Sequence, residues 1–192
     1  MDRTQQAVLV WHNDAMADFL TDVETLRKRA RANIDQGPIT SAYGADRERV
    51  IDVLNEALAT ELVCILRYKR HYYTATGLNA GPVAAEFLQH ANEEQVHADQ
   101  IALRITQLQG EPNFDPQGLA TRAHAEYDAS LDLLDMVRED LIAERVAIES
   151  YSEIIAWLGS NDPTTRRMLE DILAMEEEHA DDLLSILQTM SR

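Results

Sequence analysis

The sequence predicts an all-α protein: a four-helix bundle with a long crossover and an additional N-terminal helix. Three observations carry this expectation. The seven glycines and five prolines cluster between long segments of helical periodicity, not at the roughly 8–12-residue intervals of a β protein. Those segments run to about 28–30 residues, which at about 1.5 Å per residue is about 42–45 Å, the length of bundle helices. The chain also repeats itself. ELVCILRY (Glu61 to Tyr68) returns as ERVAIESY (Glu144 to Tyr151), and EQVHAD (Glu94 to Asp99) returns as EEEHAD (Glu176 to Asp181).

In chain order, residues 1–45 read as an N-terminal helical extension and residues 46–192 as the bundle. The first helix is expected from about Gln5 to Asn33, ending near the breaker Gly37-Pro38. Its basic run Arg27, Lys28, Arg29, Arg31 reads as a solvated face, with a subunit or polyanion contact as the rival. The second helix is expected to start after Tyr43-Gly44 with Asp46 as cap and to reach about Thr76, before Gly77. A third follows Gly81, with Pro82 suited to a first turn, and stops at Gly110. GEPNFDPQG then opens a longer connection. A fourth helix, from about Leu119 or later, ends at Gly159. Asn161 or Asp162 caps the last helix, with Pro163 at its first position. The short Gly77–Gly81 and Gly159–Pro163 turns make each pair antiparallel, and the connection after Glu111 crosses the bundle between pairs.

Composition narrows the function. With 34 acidic against 17 basic residues the formal charge is −17, which disfavours nucleic acid, since phosphate neutralisation needs a basic surface. Metal cations are the more natural partners. The single cysteine, Cys64, rules out an intrachain disulfide framework and a thiolate cluster, and reads as a small buried hydrophobe. The N-terminus lacks a secretory pattern, and no stretch approaches the about 18 apolar residues of a membrane span, so a cytoplasmic protein is expected.

The repeats carry the chemistry. A Glu and a His three positions apart lie about 60° apart around a helix and about 4.5 Å along it, so both can turn to one point. Alone, such a pair often only decorates an exposed helix. Of six histidines, however, only His97 and His179 have the Glu, and each follows a matched Glu-bearing helix: Glu61 precedes Glu94 by 33 residues and Glu144 precedes Glu176 by 32. The set Glu61, Glu94, His97, Glu144, Glu176 and His179 offers four carboxylates and two imidazoles to two metal ions. Hard carboxylate oxygens suit iron and manganese and bridge two cations, and four negative charges balance two divalent ions. Buried without cations, the same carboxylates would be costly and their pKa values raised.

Through ELVCILRY, EEQVHAD, GEPN after the third helix, DLIAER around Glu144 and EEEHAD, the chain resembles the bacterioferritin branch of the ferritin-like superfamily over roughly residues 47–190. The resemblance implies that Glu94 and Glu176 bridge the metals while Glu61, Glu144, His97 and His179 are terminal ligands. It also implies an electron-donating role for Tyr68. Tyr151 holds the repeat-equivalent place, with core packing as the rival reading for both. His71 is expected on a helix surface or interface, and His90, two turns before His97, in a structural role, with approach to the site or to a pore as the rival.

Two departures shape the expectation. Bacterioferritins bind haem through a methionine directly after the first bridging Glu; here it is Gln95, so haem is not expected, although Met16, Met136 or another methionine could contribute from elsewhere. The chain stops 13 residues after His179, short of the fifth helix that builds 24-subunit cages. With its N-terminal extension it looks more like Dps-like miniferritins, so a 12-subunit homo-oligomeric shell is favoured over 24. The expected function is a di-iron ferroxidase oxidising Fe(II) with O2 or H2O2 for iron storage, detoxification and oxidative-stress protection. The rivals are a di-manganese catalase or a rubrerythrin-like peroxidase without storage, and a non-enzymatic acidic helical assembly.

Overall fold

The computed structural model describes residues 21–78 and 80–190. These contain six α-helices and no strand, and among them no helix is long and apolar enough to cross a membrane. The chain divides into two units, residues 1–35 and 36–192. Of the first, residues 21–35 are described and carry helix α1 (Val23–Arg31), capped by Asp22, whose side chain accepts from Thr25 N at 3.0 Å. The expected start near Gln5 lies outside the described residues. Arg27, Lys28, Arg29 and Arg31 are exposed.

The second unit holds four long helices and one short one: α2 (Arg47–Thr74), α3 (Ala80–Gln107), α4 (Leu119–Arg122), α5 (Leu133–Leu158) and α6 (Pro163–Met190). Asp46 caps α2 through Arg49 N at 3.2 Å. Asp162 caps α6 through Thr165 N at 2.9 Å. The fourth long helix begins at Leu133 because Asp132 accepts from both Leu134 N and Asp135 N, at 2.9 and 3.2 Å. Gly159 ends it with φ +51°, a conformation that favours glycine. At the end of α3 the left-handed residue is Gln109, with φ +64°, and Gly110 follows it. The bonds from Gly110 N to Ile105 O and from Gln109 N to Thr106 O, both 2.9 Å, form a Schellman cap. Glycine is needed at 110 for space: a Cβ there would sit 2.8 Å from Ile51 Cγ2.

Each long helix is apolar at both ends of its inner face and polar in the middle. Leu54 and Leu58 of α2, Ile101 and Ile105 of α3, Ile154 and Leu158 of α5, and Leu169 and Ile172 of α6 share one buried cluster. Cys64 and Tyr68, Val83 and Phe87, Met136 and Val137, and Leu183 share the other. The first halves of α2 and α6 thus meet the second halves of α3 and α5, and every neighbouring pair is antiparallel. Full burial of each such large apolar side chain favours folding by about 1.5–3 kcal/mol. Between the clusters lies the level of Glu61, Glu94, Glu144 and Glu176.

The crossover from α3 to α5 runs the length of the bundle along α2. Asn55 Oδ1 accepts from Asn113 N at 2.7 Å, and Thr60 Oγ1 accepts from His124 N at 2.9 Å. Arg67 donates to Glu126 O at 2.7 Å and Arg70 to Ser130 O at 2.8 Å. This path corrects the expectation for His71. It is fully buried, with Nδ1 2.8 Å from Asp140 Oδ2, while Arg67 pairs with Asp140 Oδ1 at 2.9 Å. A residue of a helix surface stays exposed only where nothing packs on it, and here Asp140 of α5 and Asp128 of the crossover cover His71.

Candidate metal centre

All six predicted residues converge in the polar layer, each no more than 4% exposed. One donor atom each from Glu61, Glu94, His97 and Glu176 lie within 4.8 Å of one another, and the same holds for Glu94, Glu144, Glu176 and His179. Glu94 and Glu176 belong to both groups. His97 Nδ1 lies 3.3 Å from Glu94 Oε2 and 3.1 Å from Glu176 Oε1. His179 Nδ1 lies 3.5 Å from the other oxygen of each, Glu94 Oε1 and Glu176 Oε2. Each of these carboxylates therefore turns one oxygen to either half. Glu61 faces only His97, at 3.4 Å, and Glu144 faces His179, at 3.9 Å.

The two lone glutamates are held by tyrosines of the opposite repeat. Tyr68 donates to Glu144 Oε1 and Tyr151 donates to Glu61 Oε1, which leaves Glu144 Oε2 and Glu61 Oε2 without hydrogen-bond partners. Tyr68 shares a helix face with Glu61, but two turns separate them by about 10 Å along the axis. Its partner must come from the neighbouring helix.

Electrostatics make the layer untenable without cations or extra protons. Burial, reinforced by the charge of Glu176, raises the carboxyls of Glu94 and Glu144 well above the usual range. Glu176 goes the other way, to about 2, since the imidazoles of His179 and His97 close beside it outweigh its burial. Burial disfavours protonated imidazole, yet the surrounding carboxylates push His97 up to about 12 and His179 up to about 9. Beyond these contacts, Glu61 Oε2, Glu94 Oε1, Glu144 Oε2, both oxygens of Glu176 and His179 Nδ1 are buried with no hydrogen-bond partner. Buried polar atoms without partners are costly, and these converge where two cations would satisfy them. The donor set, oxygen-rich with one imidazole per half, fits iron or manganese.

Two residues less visible in the sequence adjoin this layer. His90 Nδ1 is 3.2 Å from Tyr68 OH, and its ring stacks on His179 with centroids 4.1 Å apart. Glu93 Oε2 is 2.9 Å from His179 Nε2. The signal for His90 was its place two turns before His97; for Glu93 there was none, since acidic residues crowd this stretch. Their counterparts 82 residues on are Ile172 and Met175, so the pseudo-twofold fails here. Cys64 is buried, and burial raises its thiol well above the usual value, so it behaves as an apolar side chain. Gln95 is exposed and bonds Asp99 at 3.0 Å. Met136 is buried in the core, and Met16 lies outside the described residues.

The family model of the ferritin-like domain matches residues 51–192. A bacterioferritin of Desulfovibrio desulfuricans is 31% identical over 134 residues, covering 69% of this chain and 71% of its own. A nutrient stress-induced DNA-binding protein of Synechococcus is 30% identical over 135 residues, covering 69% of this chain and 77% of its own. Among solved structures, the dodecameric thioferritin of Bacteroides fragilis, a bacterioferritin-related protein, superposes with a TM-score of 0.75 at 35% identity, covering 78% of this chain and 90% of that one.

Proposed function

Since this chain belongs to the ferritin-like domain family, we propose that it is a di-iron ferroxidase that oxidises Fe(II) with O2 or H2O2 and retains the product, in a 12-subunit cytoplasmic shell. The observation that supports this best is the set of orphaned donor atoms in the layer, arranged as two overlapping groups that share Glu94 and Glu176. In this reading Glu94 and Glu176 would hold both ions, and Glu61 with His97 and Glu144 with His179 would complete the two halves. Two bound Fe(II) would supply two electrons, which with two protons take O2 to H2O2, or with two protons take H2O2 to two waters.

The chain's part is placement. Tyr68 and Tyr151 fix the rotamers of Glu144 and Glu61, so each presents its second oxygen inward. The apolar clusters above and below exclude bulk water. A net charge of −17 favours accumulation of Fe(II) over nucleic acid, despite the name of the Synechococcus relative.

The deciding experiment adds two Fe(II) per chain under O2 or H2O2. Expected are oxidation well ahead of buffer, iron co-eluting on gel filtration, and a particle near twelve copies of 21.7 kDa, about 260 kDa. A chain that neither accelerates oxidation nor retains iron rejects the proposal, and peroxide disproportionation by a manganese-loaded chain alone would favour the catalase rival.

In this reading Tyr68 is the electron donor, supported by its contact with an imidazole, His90 at 3.2 Å. Tyr68→Phe is expected to slow iron oxidation about tenfold, a barrier increase of about 1.4 kcal/mol, and to abolish a tyrosyl radical signal after peroxide. Tyr151→Phe is expected to keep both the radical and most of the rate. Equal losses in the two variants would reduce both residues to holding their glutamates.

A further inference from the structure

On α3, Glu86, His90, Glu93 and His97 follow one another at intervals of four, three and four residues, a single stripe that leads from the layer toward the start of the helix. Asp182 sits three residues after His179 on α6, against the same stripe. One donor atom each from Glu86, His90 and Asp182 lie within 4.8 Å of one another, as do those of His90, Glu93 and His179. His90 is fully buried, whereas Glu86 and Asp182 are half-buried.

The hydrogen bonds around His90 fix which of its nitrogens carries the proton. With Glu144 ionised, as it is when it faces a cation, Tyr68 gives its one hydroxyl proton to Glu144. Its oxygen can then only accept from His90 Nδ1, 3.2 Å away, so His90 in its neutral form keeps its proton on Nδ1. The lone pair on Nε2 is aimed at Glu86 Oε1, 3.3 Å off, and this buried nitrogen has no hydrogen-bond partner. A lone pair facing carboxylates is repulsive unless a cation or a proton lies between them, and the crowding of Glu86, Asp182 and Glu93 favours a cation that three donors can share. Charge supports this: burial first, then Asp182 and Glu93, raise the Glu86 carboxyl, and the Lys and Arg ion pairs among the described residues all fall elsewhere.

We infer that Glu86, His90 and Asp182 form a third divalent-cation site, outside the six-residue centre, from which an ion passes by Glu93 and His179 to the buried pair. Two carboxylates and one imidazole suit Fe(II), Mn(II) or Co(II). The half-buried Glu86 and Asp182 have the freedom to close to bonding distances of about 2.0–2.2 Å. Binding rests on these three residues alone; the passage to the pair rests on the ferroxidase reading. The asymmetry gives the site a direction. Ile172 and Met175 occupy the corresponding places on α6, so only the His179 half is reached this way.

The test uses Co(II), which does not oxidise during the measurement. Anomalous diffraction at the cobalt edge and equilibrium dialysis are expected to give three ions per chain in the unmodified protein and two in the doubly substituted Glu86→Gln, Asp182→Asn protein. Filling of the inner pair, followed by visible absorption in a stopped-flow instrument, is expected to be about tenfold slower in that variant. Inner density with none between Glu86, His90 and Asp182, or a third ion retained by the variant, overturns the site and leaves the ferroxidase reading standing. Equal filling rates overturn the passage. Outer density with none at the centre upholds the site and sinks the ferroxidase reading instead.

Discussion

Glu94→Gln is expected to melt above the unmodified protein when both are metal-free and below it when both are loaded, and to oxidise Fe(II) at least about a hundredfold more slowly. The crossing follows from two opposing terms. A carboxyl whose folded pKa is raised adds stability below its unfolded value and forfeits it as pH rises toward the folded one. At pH 7 the metal-free chain carries that penalty at Glu94, and the neutral amide removes it. With ions present the sign reverses. Binding stabilises by about 2.7 kcal/mol for an ion at a hundred times its Kd, about 5–10 °C for a chain of this size. A glutamine amide supplies one weak neutral oxygen where two anionic ones served both halves. Calorimetry with and without Co(II) or Fe(II) reads both arms, and a variant that still binds two ions with unchanged rate would remove Glu94 from the centre.

Asp162→Ala is expected to cost about 3–5 kcal/mol in urea denaturation of the metal-free protein, because it strands a buried charge. Asp162 accepts from Arg104 Nη2 at 2.9 and 3.1 Å, from Thr165 N at 2.9 Å and from Tyr43 OH at 3.0 Å. It thereby ties the start of α6 to α3 and to the segment before α2. Burial would raise its carboxyl, but Thr165 and Arg104 bring it below the ordinary value. A depressed carboxyl contributes stability above its unfolded pKa, near 3.9, that is lost as pH falls through the folded one. Acid unfolding should accordingly begin at higher pH in Asp162→Asn. Replacing both partners by apolar residues should recover much of the loss; if Asp162→Ala alone costs under about 1 kcal/mol, the network is not what fixes the α3–α6 register.

The α3–α6 register matters to the site because those helices carry Glu94, His97, Glu176 and His179. That the four face one another was legible from the repeat: a 3.6-residue period sets the angle of each side chain about its own axis, and two equal hairpins bring equal angles to one level. The cap at Asp162 was legible too, but not that the same carboxylate holds Arg104 and Tyr43, 58 and 119 residues away. For Tyr68, the period indicates a direction and not a partner. It shares a face with Glu61 and bonds Glu144.

The sequence by itself thus determined the four long helices of the bundle, the duplicated Glu and Glu-x-x-His pattern and the convergence of the six residues in one layer, since all of these follow from periodicity along single helices. Only the tertiary structure decided the crossed tyrosine bonds, the burial of His71 beneath the crossover and the extension of one half of the centre through Glu93 and His90. These depend on which helices are neighbours and on what covers their remaining faces. Those relations are set by packing between segments far apart in the chain, which leaves no period in the sequence to read.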